Sequence, residues 1–161
     1  MGKTQITAEP GTPFVQITRT FDAPKELVYR AYIEPDLLVQ WLGPRGVQMR
    51  VDRYDVRDGG TWRYVHFDDE GNEYGFHGVF HGDPSVASGI VQTFEFEGAP
   101  GHVMLEWLTF EEHDGKTTIY ANSVGQSIED RDAMMASGME HGVVEGYERM
   151  DELLVKLTGK G

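Results

Sequence analysis

Hydrophobic and polar positions change period along the chain, and the changes mark the elements. Phe14 to Phe21 is rich in β-branched and aromatic residues and predicts a strand. Asp22-Ala23-Pro24 ends it: Asp22 suits an N-cap and Pro24 a first helical turn. Leu27, Val28 and Ala31 then recur at helical spacing. Pro35 opens a second short helix whose apolar side is Leu37, Leu38 and Trp41, closed by Gly43-Pro44-Arg45-Gly46. From Val47 to Val124 the period is two. Strands are predicted over 47–51, 61–67, 73–81, 89–97, 102–111 and 116–124, and Asp114-Gly115 is a strong hairpin signal. Strands joined by short links form an antiparallel meander, not parallel βαβ units. A helical period returns with Met135, Met139, Val143, Met150, Leu153, Leu154 and Leu157. Ser127 begins it and Gly159 ends it, which predicts one helix of about 30 residues and about 45 Å. The class is α+β. The expected organisation is a flexible N-terminus over 1–13 and a single domain over 14–158.

Parity along the strands separates an inward from an outward face. Trp62, Tyr64 and His66 share one parity, as do Tyr74, Phe76, Gly78 and Phe80, and Ile90, Gln92, Phe94 and Phe96. The interior is therefore aromatic, with His66 and Gln92 as polar insertions. In 103–110 both parities are mostly apolar, so the inward set is either Met104, Glu106, Leu108 and Phe110 or Val103, Leu105, Trp107 and Thr109. With the first set inward, Glu106 is a carboxylate in an apolar setting, and desolvation raises its pKa toward acid-base use. The competing reading makes His66, Gln92 and Glu106 a satisfied polar network. Gly138, Gly142 and Gly146 lie four apart on the terminal helix. They mark either close packing of that helix on the sheet or a shallow trough that leaves room for a ligand.

Charge and composition narrow the function classes. The 161 residues hold 14 Lys and Arg against 27 Asp and Glu, a net charge of −13. That field repels phosphate backbones, so nucleic acid and anionic membranes are poor partners. Without cysteine, disulfides, thiolate catalysis and Cys-type zinc sites are excluded. No stretch is long and apolar enough for membrane insertion, and Met1 to Pro13 has no apolar leader segment, so a cytoplasmic setting is expected. His77 and His81 on one strand are about 13 Å apart and cannot share an ion. Asp68-Asp69-Glu70 lacks the spacing of a calcium loop. Phosphate-loop, nucleophile-elbow and zinc-protease motifs do not occur. No cofactor or metal is expected.

Four segments in order resemble the heat shock protein 90 ATPase activator-like family. They are Arg19-Thr20-Phe21-Asp22-Ala23-Pro24 with Val28, Tyr29 and Ala31; Pro35, Leu38, Trp41, Gly43 and Pro44; Asp55 to Trp62, similar to an Arg-x-Gly-Gly-x-Trp turn; and Gly138-Met139-Glu140-x-Gly142 followed by Arg149-Met150-x-x-Leu153-Leu154. The resemblance runs from Phe14 to Leu157. It implies the helix-grip fold of the START-related (SRPBCC) superfamily. That is a curved antiparallel sheet of six or seven strands around a long C-terminal helix, with two short helices after the first strand and a hydrophobic cavity between sheet and helix. Superfamily members bind lipids, hormones and polyketides, and some cyclise or hydrolyse them. Leu42 departs from an aromatic often found beside Trp41 and would reshape the cavity mouth. Chaperone-binding activators carry an additional N-terminal domain, and Met1 to Pro13 is shorter than a domain.

The leading expectation is a small-molecule binding protein taking a hydrophobic or aromatic ligand. Its cavity residues are Trp41, Trp62, Tyr64, His66, Phe76, Gln92, Phe94, Glu106, Leu108, Met135, Met139 and Gly142. The alternatives are a cyclase or hydrolase using Glu106 or His66 as acid-base group, and a chaperone-interacting module.

Overall fold

The computed structural model describes residues 2–159. Strand β1 (Gln5–Thr7) pairs antiparallel with β2 (Phe14–Phe21). Helices α1 (Lys25–Ile33) and α2 (Pro35–Leu38) follow. The strands β3 (Gln48–Tyr54), β4 (Thr61–Phe67), β5 (Glu73–Val79), β6 (Ile90–Phe96), β7 (Val103–His113) and β8 (Lys116–Val124) come next, and α3 (Ile128–Ala136) and α4 (Met139–Thr158) close the chain. The sheet has eight strands in the order β1-β2-β8-β7-β6-β5-β4-β3. The α1–α2 connection carries the chain from β2 to the far edge at β3. The meander then returns until β8 meets β2 along its whole length, from Phe14 opposite Val124 to Phe21 opposite Thr117. The α+β, helix-grip architecture anticipated from the sequence is the one observed.

Three expectations need correction. Gln5–Thr7 adds an eighth strand to the six or seven expected. The terminal helix is two helices, since Gly138 adopts a left-handed conformation (φ 89°) that ends α3 and starts α4. Such a backbone is open to glycine at little cost and breaks the helical hydrogen-bond ladder. Gly138 therefore shares no helix face with Gly142 and Gly146. Finally, Pro24 stands at the N-cap of α1 in place of Asp22, and Glu112 Oε1 accepts from the Lys25 backbone N–H at 2.9 Å. The Ser127 cap forms as expected, accepting from the Asp130 N–H at 3.0 Å.

Buried side chains from α1, α2 and α4 meet the sheet in a continuous core. Val28 and Ala31 of α1, Leu37 and Leu38 of α2, and Tyr147, Met150, Leu153 and Leu154 of α4 pack with Phe21, Trp41 and Ile119. Their spacing on α4 is the apolar stripe of an amphipathic helix. A second group, Trp62, Tyr64, Phe80 and Ile90, lies under β4 to β6. Arg19 points into this interior from β2. Its guanidinium sits 4.7 Å from the Phe21 ring centroid and is gripped by both carboxylate oxygens of Asp151 on α4, at 3.0 and 2.5 Å. Sheet and terminal helix are thus tied by an ion pair that the sequence did not disclose.

Candidate functional site

The ambiguous parity of β7 is resolved by its neighbours. Met104 is buried, Leu108 and Phe110 pack on the core, and Leu105 is 40% exposed. Glu106 therefore stands on the inward face. The antiparallel register sets it directly opposite Gln92 of β6 on one side and Ser123 of β8 on the other. Residues directly opposite in adjacent strands approach closely enough for side-chain contact. Gln92 Nε2 donates to Glu106 Oε1 at 3.1 Å, and Ser123 Oγ donates to Oε2 at 3.3 Å. Three neighbouring strands thus carry one polar stripe across an otherwise apolar face.

The electrostatics follow from this placement. Burial raises the Glu106 pKa above its ordinary value, and the two donors partly offset that rise by stabilising the carboxylate. Tyr64 of β4 and Tyr147 of α4 feel the Glu106 charge, which places both phenols near the stripe. Burial, reinforced by that charge, holds the Tyr64 hydroxyl well above its usual range. Burial pushes Tyr147 up to about 12. Both phenols stay neutral at physiological pH.

Around the stripe the inward face is aromatic. Trp62 stacks on Tyr64 with ring centroids 5.0 Å apart and meets Phe94 at 5.9 Å. Phe76 lies 5.5 Å from Tyr64 and 5.4 Å from Phe94. His66 meets Tyr64 and Phe76 edge-on. Its pKa falls to about 4, mainly through burial and further through the Arg149 charge. His66 is therefore neutral at pH 7, and its Nδ1 is buried with no hydrogen-bond partner. Trp62 Nε1 is in the same condition. Arg149 of α4 donates to the carbonyls of Gly43 and Pro44, which fixes the loop after α2 against His66.

The predicted residues divide by exposure. Trp41 and Trp62 are almost wholly buried, and the Trp41 indole N–H is used by the Ala31 carbonyl at 2.9 Å. These two back the site from within the core. Phe76, Gln92, Phe94, Glu106 and Leu108 stand on the inward face yet remain half-buried, as do Phe110 and Ser123. Met135 and Met139 are half-buried where α3 turns into α4. Gly142 leaves space, since a Cβ there would meet only Pro44 Cδ, at 3.6 Å. Gly146 marks close packing: a Cβ would lie 3.2 Å from the Trp41 carbonyl and 3.3 Å from the Gly43 nitrogen. His77, on the outer face, pairs with Glu95 and Glu97, and among the described residues no group of side chains is arranged to hold a metal ion. Ser123 and Tyr147 join the site without a sequence expectation, whereas Phe110 belonged to one of the two candidate inward sets of β7 and Arg149 to the family-like motif of the terminal helix. Inward parity on β8 would have flagged Ser123, whereas the long-range placement of Tyr147 leaves no local signal.

Comparison with known proteins gives the family and the fold. The profile of the family described as "Activator of Hsp90 ATPase homolog 1-like protein" matches residues 22–155. The chain belongs to that family. Among solved structures it is similar to a Rhodobacter sphaeroides protein, with a TM-score of 0.86 at 26% identity, covering 96% of this chain and 99% of that one. An Arthrobacter aurescens protein gives a TM-score of 0.85 at 22% identity, covering 94% and 91%. The AHSA1 protein of Silicibacter pomeroyi gives 0.71 at 19%, covering 88% and 97%. No curated protein matches significantly. The family fold is of a general ligand-binding type. Among the described residues, no helix is long and apolar enough to cross a membrane.

Proposed function

We propose that this protein binds a small, largely apolar or aromatic molecule between the sheet and its covering helices. The observation that carries the reading is the Gln92–Glu106–Ser123 stripe set in an aromatic inward face whose members keep accessible surface. A few convergent polar groups in an apolar chamber are what a small-ligand site requires. Phe76, Phe94, Leu108 and Phe110 supply contact area, and the stripe orients one polar end of the guest. Met135, Met139 and Gly142 stand where α3, α4 and the loop after α2 would form the entrance. A cytoplasmic setting accords with the cysteine-free sequence.

Thermal unfolding across a series of neutral aromatic ligands tests this. A ligand at about 100 times its Kd stabilises by about 2.7 kcal/mol, which raises Tm by roughly 5–10 °C in a chain of this size. An unchanged Tm with every apolar class would overturn the reading.

A second reading has its own support in the inward position of Glu106 and its raised pKa: a hydrolase or cyclase with Glu106 as general acid or base. Glu106→Gln distinguishes the two, because an enzyme loses turnover while still binding its ligand. A chaperone-interacting role rests on the family description alone and would be supported by co-purification with the chaperone.

A further inference from the structure

The state of Glu106 restricts what the guest can be. Its two oxygens accept from Gln92 and Ser123, and among the described residues no cationic side chain pairs with it. The nearby cations are engaged elsewhere. Arg19 is held by Asp151, and Arg149 by the carbonyls of Gly43 and Pro44. The phenols of Tyr64 and Tyr147, the other titratable groups near the carboxyl, remain neutral. A carboxylate offers about four acceptor positions, so each oxygen has one left over after the Gln92 and Ser123 bonds. Two donors already in place arrange the group as an acceptor that lacks a counter-charge. A carboxylate half-buried on an apolar face without a cation is costly, and a neutral guest would leave it so. An anionic guest would make it worse.

The surroundings favour the same sign. Aromatic faces carry negative charge density and attract cations. Tyr64, Phe76 and Phe94 present such rings beside the stripe. The net charge of −13 raises the local concentration of cations at the protein.

We propose that the guest is an amine, its ammonium group donating to Glu106 and its aromatic or apolar body lying on Phe76, Phe94 and Leu108. This rests on the chamber reading above and names the chemical class of its ligand.

Three probes of matched shape separate the two ideas: 2-phenylethylamine, which is cationic at neutral pH, propylbenzene as its neutral isostere, and 3-phenylpropanoate as the anion. Binding to the full chain is measured by displacement of Nile red. The expected result is that the amine binds about tenfold or more tighter than propylbenzene, as a charge-assisted hydrogen bond in a desolvated site implies. Phenylpropanoate should bind weakest, and Glu106→Gln should bring the amine down to the propylbenzene level. Propylbenzene or phenylpropanoate matching the amine in the unmodified protein overturns the amine assignment and leaves the chamber standing. That comparison does not depend on the variant folding. Failure of all three probes and of Nile red overturns the chamber and the amine together.

Discussion

Burial raises the Glu106 pKa, and the direction fixes the sign of its contribution to stability. A carboxyl that holds its proton more tightly when folded favours the folded state below its unfolded pKa. That advantage is lost as pH rises through the folded value. Glu106→Gln removes the ionisation, so the variant should gain Tm relative to the unmodified protein as pH rises above the ordinary carboxylate range. A difference in Tm that does not change with pH would contradict the burial of this carboxyl. His66 has the opposite dependence. Its pKa is lowered to about 4, so its contribution is complete above about 6.5 and is lost as pH falls toward 4. His66→Phe should flatten the acid side of the stability profile over that window. Arg19 is buried with its charge answered by Asp151. Asp151→Ala strands that cation and should cost about 3–5 kcal/mol in urea unfolding. At this scale the sequence disclosed residue types and parity. It showed His66 and Gln92 facing inward and left Glu106 open, because both parities of 103–110 are apolar. The Arg19–Asp151 pair was invisible, since nothing local links positions 132 apart.

Strands were legible as elements because one face is wet and the other dry, which imposes a period of two. Helix α4 was legible from its apolar stripe, but its start was not: helical spacing runs through Gly138 without registering the left-handed turn that breaks it. Short β1 has only three residues and no periodicity to read. Register, which aligns Gln92, Glu106 and Ser123, arises from the hairpin geometry of three strands together and so is not written in any one of them. The two helical glycines give a paired test of how α4 sits. Gly146→Ala pushes a methyl group against the Trp41 carbonyl and the Gly43 nitrogen and should cost about 1–3 kcal/mol. Gly142→Ala meets only ordinary contact and should stabilise by up to about 1 kcal/mol through helix propensity. Chemical denaturation of both variants checks the contrast, and equal effects would mean that α4 does not approach the 41–43 segment as described.

Over the whole molecule, the chain covers the inward face by sending α1 and α2 across the sheet before the meander begins and laying α4 back over it at the end. On the outer face several carboxylates pair with cations, as where Arg63 pairs with both Asp52 and Glu97. Among the described residues, the inward stripe has no such cation. A guest received on the inward face would be excluded by filling its space. Nile red, a neutral apolar dye, is titrated into the unmodified protein and into Leu108→Trp, which adds bulk beside the stripe, with circular dichroism confirming that both are folded. Saturable one-to-one binding that weakens about tenfold or more in the filled variant is the predicted result. Absence of saturable binding, or binding that Leu108→Trp leaves unchanged, would contradict it.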